Sequence, residues 1–263
     1  MSKRVLSGTV LGVITVAAVV FYPLCGIVVS ILVVVGLYEF FYMVEKKGVR
    51  LFKTIGLLVG GVIPVTIYFK FNIGESWQFL FIIVGLMLLF LLELTKKENY
   101  QPILSISATI FGILYIPWCF SFLIRIRQLP DGIFLVAFLL AVTKASDIGA
   151  YLWGRKFGRT YLVPRISPKK SLEGAIGGFL TSLFIGTIFS FFIREMFFWE
   201  KIFLVIIIAI IAQLGDLFES LIKRDCFVKD SGRIFPGMGG VLDVIDSIIF
   251  TAPTFYLYIT MMR

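Results

Sequence analysis

Nine long apolar runs separated by short polar links decide what this chain can fold into. They lie near residues 5–22, 24–44, 55–71, 77–94, 103–124, 132–153, 172–193, 201–219 and 241–262. A helix needs about 20 residues to cross roughly 30 Å of hydrocarbon, and a backbone in that medium has no water to bond, so it must satisfy its own polar groups. The expected fold is an all-α integral membrane protein with about nine transmembrane helices. Composition agrees: 59% of 263 residues are hydrophobic, 28 are Phe, and mean hydropathy is +0.99, more than a soluble domain needs. The first two runs are joined by little more than Tyr22-Pro23 and read as a tight helical hairpin or one kinked segment.

A formal charge of +9 would suit nucleic acid, but the basic residues fall in short links between apolar runs, so no nucleic-acid partner is expected. With a cytoplasmic N-terminus, the inner links hold Lys3, Arg4, Lys46, Lys47, Arg50, Lys53, Lys96, Lys97, Arg155, Lys156, Arg159, Arg165, Lys169, Lys170, Lys223, Arg224, Lys229 and Arg233. The outer side holds Lys70, Arg125, Arg127, Arg194, Lys201 and Arg263, and Lys144 falls inside a span. That bias predicts N-terminus in and C-terminus out, in the cytoplasmic (inner) membrane. Lys3-Arg4 before an apolar run also resembles a secretory signal, but no small-residue cleavage site with a polar region after it appears, so the first helix is expected to be retained. Cys25, Cys119 and Cys226 form no even framework and read as bystanders.

The two halves differ. Residues 1–101 read as scaffold and lipid contact, with Glu39 and Glu93 as isolated charges in apolar runs, whereas residues 102–263 carry the polar clusters of a cytoplasm-facing site. Lys144 and Asp147 lie on the sixth run, Asp216, Glu219 and Lys223 on and just beyond the eighth, and Asp243 and Asp246 at the mouth of the ninth. Spacings of three and four place each set on one helix face, and carboxylates in a membrane are costly enough to mark function. Lys144 with Asp147 suits an ion pair as well as a catalytic role. Asp216, Asp243 and Asp246 together leave negative charge that calls for a metal. With no His and scattered Cys, the donors are oxygens, which select hard cations: Mg2+, one or two ions, with room for a second, different cation. Lack of His also removes the commonest general base, favouring a reaction that needs little proton removal.

Two basic links flank these acids. One runs from Gly154-Arg155-Lys156-Phe157-Gly158-Arg159 to Ser167-Pro168-Lys169-Lys170-Ser171-Leu172-Glu173-Gly174, where the seventh helix begins; the other is Ser220 to Gly232. Lysines beside a helix N-terminus hold anions well, and the turn Pro236-Gly237-Met238-Gly239-Gly240 offers backbone amides to phosphate. The set describes a pocket for a polyphosphate and its metal.

Gly215-Asp216-Leu217-Phe218-Glu219-Ser220, Lys223-Arg224, Lys229-Asp230-Ser231-Gly232, Pro236-Gly237, Gly239-Gly240, Leu242-Asp243 and Ile245-Asp246-Ser247 resemble the signature of the phosphatidate cytidylyltransferase (CDP-diacylglycerol synthase) family. The likeness extends upstream through Asp147-Ile148-Gly149-Ala150-Tyr151 and the first basic link, covering roughly residues 141–250; Met238 and Val244 stand where the family usually has His and Arg. The resemblance implies transfer of CMP from CTP to phosphatidate, with pyrophosphate released. It implies Asp216, Asp243, Asp246 and Lys223 as catalytic. Substrate contacts would come from Lys144, Ser167, Lys169, Lys170, Ser220, Arg224, Lys229, Asp230, Gly237, Gly239 and Gly240. Metal ligands would be Asp216, Asp243, Asp246 and Asp147, the last either a ligand or the group that orients Lys144. Expected partners are CTP, phosphatidate and membrane lipids, with a homodimer as a further candidate and a lateral opening between helices for the acyl chains. A CTP-dependent polyprenol or dolichol kinase and an ion-coupled transporter are the rival readings.

Overall fold

A computed structural model describes residues 2–71, 75–95, 101–192 and 196–262. Lys96, Lys97, Arg194 and Arg263 of the charge comparison lie outside them. Helices α1 (Ser2–Val20), α2 (Tyr22–Lys46), α3 (Lys53–Tyr68) and α4 (Glu75–Leu94) come first. Next are α5 (Pro102–Ile113), a π-helical turn at Leu114–Trp118, and α6 (Phe122–Gln128), which together form one continuous apolar rod. Then follow α7 (Gly132–Phe157), strands β1 (Tyr161–Val163) and β2 (Ser167–Ser171), α8 (Leu172–Ser190), α9 (Phe198–Asp225) and α10 (Leu242–Met262).

Every apolar run coincides with a helical segment. Among the described residues, 6 helices are long and apolar enough to cross a membrane: α2, the α5–α6 rod, α7, α8, α9 and α10. Val5–Val20, Lys53–Tyr68 and Ile83–Leu94 are shorter apolar helices. Three boundaries depart from expectation. Phe21 alone, with an extended backbone, separates α1 from α2, because Pro23 is at home in the first turn of a new helix. Helices α7 and α9 outrun their apolar stretches, to Phe157 and Asp225, which puts Gly154–Phe157 and Ser220–Asp225 on helices rather than in links. The first basic link then forms a small antiparallel hairpin, pairing Tyr161 with Ser171 and Val163 with Ser167, the one sheet among the described residues of an otherwise helical fold. Proline disrupts the rod locally: Pro117 cannot donate to the ladder, and the turn around it widens to π geometry.

The core is built from α2, the rod, α7, α9 and α10, with Phe41, Phe120, Phe138 and Phe255 fully buried. Helix α8 lies close against α7 because the contact is lined with small residues: a Cβ on Gly178 would come within 2.6 Å of the Ser146 carbonyl oxygen. Ser171 caps α8, its hydroxyl accepting from Gly174 N at 3.1 Å.

A polar knot ties several helix ends together. Arg127 donates from Nε and Nη2 to the last carbonyls of α1, Val19 O at 2.8 Å and Val20 O at 3.0 Å. Gln128 Nε2 reaches Tyr22 Oη (2.7 Å) and Ile67 O (2.9 Å), and Tyr22 stacks on Tyr68. Carbonyls at a helix C-terminus lack partners, and a cation there answers both the hydrogen bonds and the dipole. Arg127→Ala is therefore expected to lower stability in detergent by about 1–2 kcal/mol. Thermal unfolding and activity per folded molecule check this: the first should fall and the second should not.

Candidate active site

The site forms where the end of α9 meets the start of α10, with α7, β2 and α2 around it. Helical spacing sets Asp216, Glu219, Ser220 and Lys223 along α9, and Asp243 and Asp246 on successive turns of α10. The helices can approach because Gly215 has no side chain: a Cβ there would stand 2.8 Å from the Asp246 carbonyl oxygen. Lys223, half-buried, pairs with the fully buried Glu219 one turn back and with Asp243 Oδ1 at 2.6 Å. Asp243 Oδ2 accepts three further bonds, from Ser231 N (2.9 Å), Ser231 Oγ (2.8 Å) and Gly240 N (2.8 Å). Asp243 thus joins α9, α10 and the 226–241 loop.

Helix α7 contributes a second network. Lys144 Nζ donates to Asp147 Oδ2 (3.0 Å), Val244 O (3.0 Å) and Ser247 Oγ (3.1 Å), and Ser247 Oγ lies 3.0 Å from Asp147 Oδ2. The ion pair expected from spacing is therefore present, and it also ties α7 to α10. From β2, Lys170 Nζ reaches Asp216 Oδ2 at 2.6 Å, while Arg224 Nε donates to Ile166 O at 3.1 Å. These two contacts pin the hairpin to α9.

Asp246 stands apart. It is 7% exposed, accepts a hydrogen bond from Ser247 N at 2.5 Å, and takes part in no ion pair among the described residues. Asp216, Glu219 and Asp147 act on it as like charges, with Lys144 opposing. Five carboxyl groups, of Asp147, Asp216, Glu219, Asp243 and Asp246, thus stand against the three ammonium groups of Lys144, Lys170 and Lys223. No three acidic, His or Cys side chains converge as a ready-made metal cage among the described residues. The donor chemistry still fits a hard cation, since Mg2+ commonly takes one or two carboxylates and completes its shell with water and substrate phosphates.

Other expected residues fall into two groups. Ser220 is buried on α9 and Ser167 half-buried on β2, whereas Lys169, Arg224, Lys229 and Asp230 are exposed on the hairpin, helix end and loop. Gly237 and Gly239 hold φ of 82° and 104°, left-handed values that favour glycine, and a Cβ on Gly239 would meet Asp243. Three amides of this turn are already engaged: Met238 N and Gly239 N bond Phe235 O, both at 3.0 Å, and Gly240 N bonds Asp243. What Gly239 and Gly240 supply is close approach rather than unused donors.

Four participants escaped assignment from sequence. Glu219, Ser231 and Ser247 lie within or beside the motifs, but their partners are on other elements. Glu39, from α2, is 4% exposed and accepts from Val241 N, Leu242 N and Ser231 Oγ. Its one sequence signal is a lone carboxylate in an apolar run. Cys226, just beyond α9, is buried beside Asp225, and burial first, then that carboxylate, holds its thiol above the ordinary value. Little thiolate is present there, in keeping with a bystander.

A family model described as the cytidylyltransferase family matches residues 2–262. A phosphatidate cytidylyltransferase of Bacillus subtilis is 31% identical over 264 residues, covering 99% of this chain and 98% of that protein. One from Thermotoga maritima is 33% identical over 265 residues, covering 98% and 95%. An uncharacterized protein of Escherichia coli, YnbB, is 40% identical over 151 residues, covering 57% of this chain and 50% of that protein.

Proposed function

The chain belongs to the cytidylyltransferase family, and from that premise we propose that it transfers CMP from CTP to phosphatidate, forming CDP-diacylglycerol and pyrophosphate. The observation that carries this reading is the close approach of α9 to α10 at Gly215, on the helix pair that carries the Lys170–Asp216 and Lys223–Asp243 pairs and buried Asp246.

A phosphate oxygen of phosphatidate attacks the α-phosphorus of CTP, the bond from that phosphorus to the β-phosphate oxygen breaks, and pyrophosphate leaves. Phosphatidate is already ionised near neutral pH, so the attack needs no strong protein base, in keeping with a chain that has no His. The barrier lies in bringing anions together and in the charge that grows on the leaving group. Lys170 and Lys223 are the cations for that charge, and Lys170 must trade Asp216 for the triphosphate. Lys169, Arg224 and Lys229 form an exposed basic rim that attracts the nucleotide. Asp216 and Asp246, with Asp243 and Asp147 beside them, would hold one or two divalent cations such as Mg2+, which supply Lewis-acid stabilisation of the phosphates. Lys144 orients Asp147 and the first turns of α10.

The membrane arrangement belongs to the same proposal. Lys47 at the end of α2 pairs with Asp225 at the end of α9 at 2.5 Å, so these basic ends share one side with the hairpin and the site. The positive-inside bias makes that side cytoplasmic, with nine crossings, N-terminus in and C-terminus out. CTP then arrives from the cytoplasm and phosphatidate from the leaflet.

Product analysis tests the reading. Purified protein with labelled CTP, Mg2+ and phosphatidate should yield a CDP-lipid and pyrophosphate. CDP with a phosphorylated alcohol, when polyprenol is supplied, would point to a lipid kinase instead, and absence of nucleotide turnover would overturn both.

A further inference from the structure

The first amides of a helix lack partners within it, and that end of the helix attracts anions. At α10, in the middle of a site read as binding a triphosphate, the anion is part of the protein. Glu39 Oε1 accepts from Val241 N at 3.0 Å and Oε2 from Leu242 N at 2.9 Å. The same Oε2 lies 3.1 Å from Ser231 Oγ, which is 2.8 Å from Asp243 Oδ2. A hydroxyl has one proton, so Ser231 bridges two carboxylates and donates to one of them at a time.

Space around the carboxylate is shaped for it. Gly232 and Gly240 have no room for a side chain, because a Cβ on either would run into the Glu39 carboxylate. Two glycines from the loop and the amides of Val241 and Leu242, where the loop enters α10, thus form a receptor for a group carried by α2, and that group is buried. The arrangement includes neither Asp216 nor Asp246. It fixes the element from which Asp243 and Asp246 project.

We propose that Glu39 is a positioning residue for the transfer reaction, setting the first turn of α10 and, through Ser231, the carboxylate of Asp243. The assignment rests on the cytidylyltransferase reading. Its expected consequence is kinetic: a shift of about 1 Å in a reacting constellation can cost on the order of 10²-fold in rate.

The test uses the full chain in detergent or proteoliposomes. Glu39→Gln preserves size but leaves one acceptor oxygen where two amides need one each. It should lower kcat by about 10- to 100-fold while KM for phosphatidate stays within about twofold. Ser231→Ala should cost less, and the double variant should fall no further than Glu39→Gln alone, since the hydroxyl then has nothing to bridge. A well-folded Glu39→Gln protein with kcat near wild type overturns the assignment, as does full additivity with Ser231→Ala. A role in fold stability alone would lower the unfolding temperature and leave activity per folded molecule unchanged. Should Glu39→Gln not fold, Ser231→Ala decides, and wild-type kcat there overturns the proposal. Wild-type protein that forms no CDP-lipid would defeat the functional reading; an active wild type with an indifferent Glu39→Gln defeats this assignment alone.

Discussion

Asp246→Asn is expected to cut CDP-lipid formation by about 10²- to 10³-fold, the range found when one preorganised electrostatic partner is removed from a transition state. The carboxamide has nearly the same volume, and its oxygen can keep the bond from Ser247 N. What disappears is the charge of a buried carboxylate already crowded by Asp216, Glu219 and Asp147. Relieving that repulsion should leave the unfolding temperature unchanged or raise it. The signature is an inactive protein at least as stable as wild type, whose Mn2+ binding, read by paramagnetic resonance in the presence of CTP, is weakened. Turnover close to wild type would remove Asp246 from the chemistry.

Lys223→Met should combine both kinds of damage. Lys223 compensates fully buried Glu219 and bonds Asp243, and removing one partner of a buried pair costs about 3–5 kcal/mol because the remaining charge has no counter-ion. Low yield and a depressed unfolding temperature are expected, with turnover lost. The charge-balanced double variant Glu219→Gln/Lys223→Met separates the two effects. Neutralising both partners should recover most of the stability, since Asp243 still has Ser231 N, Ser231 Oγ and Gly240 N. Turnover should stay low, because of the two cations assigned to the leaving pyrophosphate only Lys170 then remains. Recovery of activity along with stability would limit Lys223 to a structural role.

The helices were legible in the sequence because hydrocarbon imposes length and composition on whatever crosses it. Their ends were less so. Helices α7 and α9 continue past the apolar runs as polar turns, and on α9 Lys223 and Arg224 find partners on other elements that a one-dimensional hydropathy pattern cannot register. The β1–β2 hairpin is too short to leave a periodic trace. Within the site, spacing identified Asp216, Asp243 and Asp246 but not their different surroundings: one paired with Lys170, one locked by Lys223 and the loop, one in no ion pair among the described residues. Gly239 and Gly240 also give clearance to the carboxylates of Asp243 and Glu39, which spacing along the chain does not reveal. A division at residue 101 likewise gives no sign that Glu39 of α2 bonds the amides at the start of α10.

Synthesis runs from N- to C-terminus, and the hydroxyl and amides that receive Glu39 lie 192 to 203 residues after it. At about 5–20 residues per second, the ribosome takes roughly 10–40 s to deliver them. Through that interval α2 carries a carboxylate with no destination, a residue type that membrane insertion disfavours by about 2.5–3.5 kcal/mol when near a helix centre. The start of α10 therefore completes α2, and a nascent chain halted before residue 241 leaves the Glu39 carboxylate without the amides that receive it.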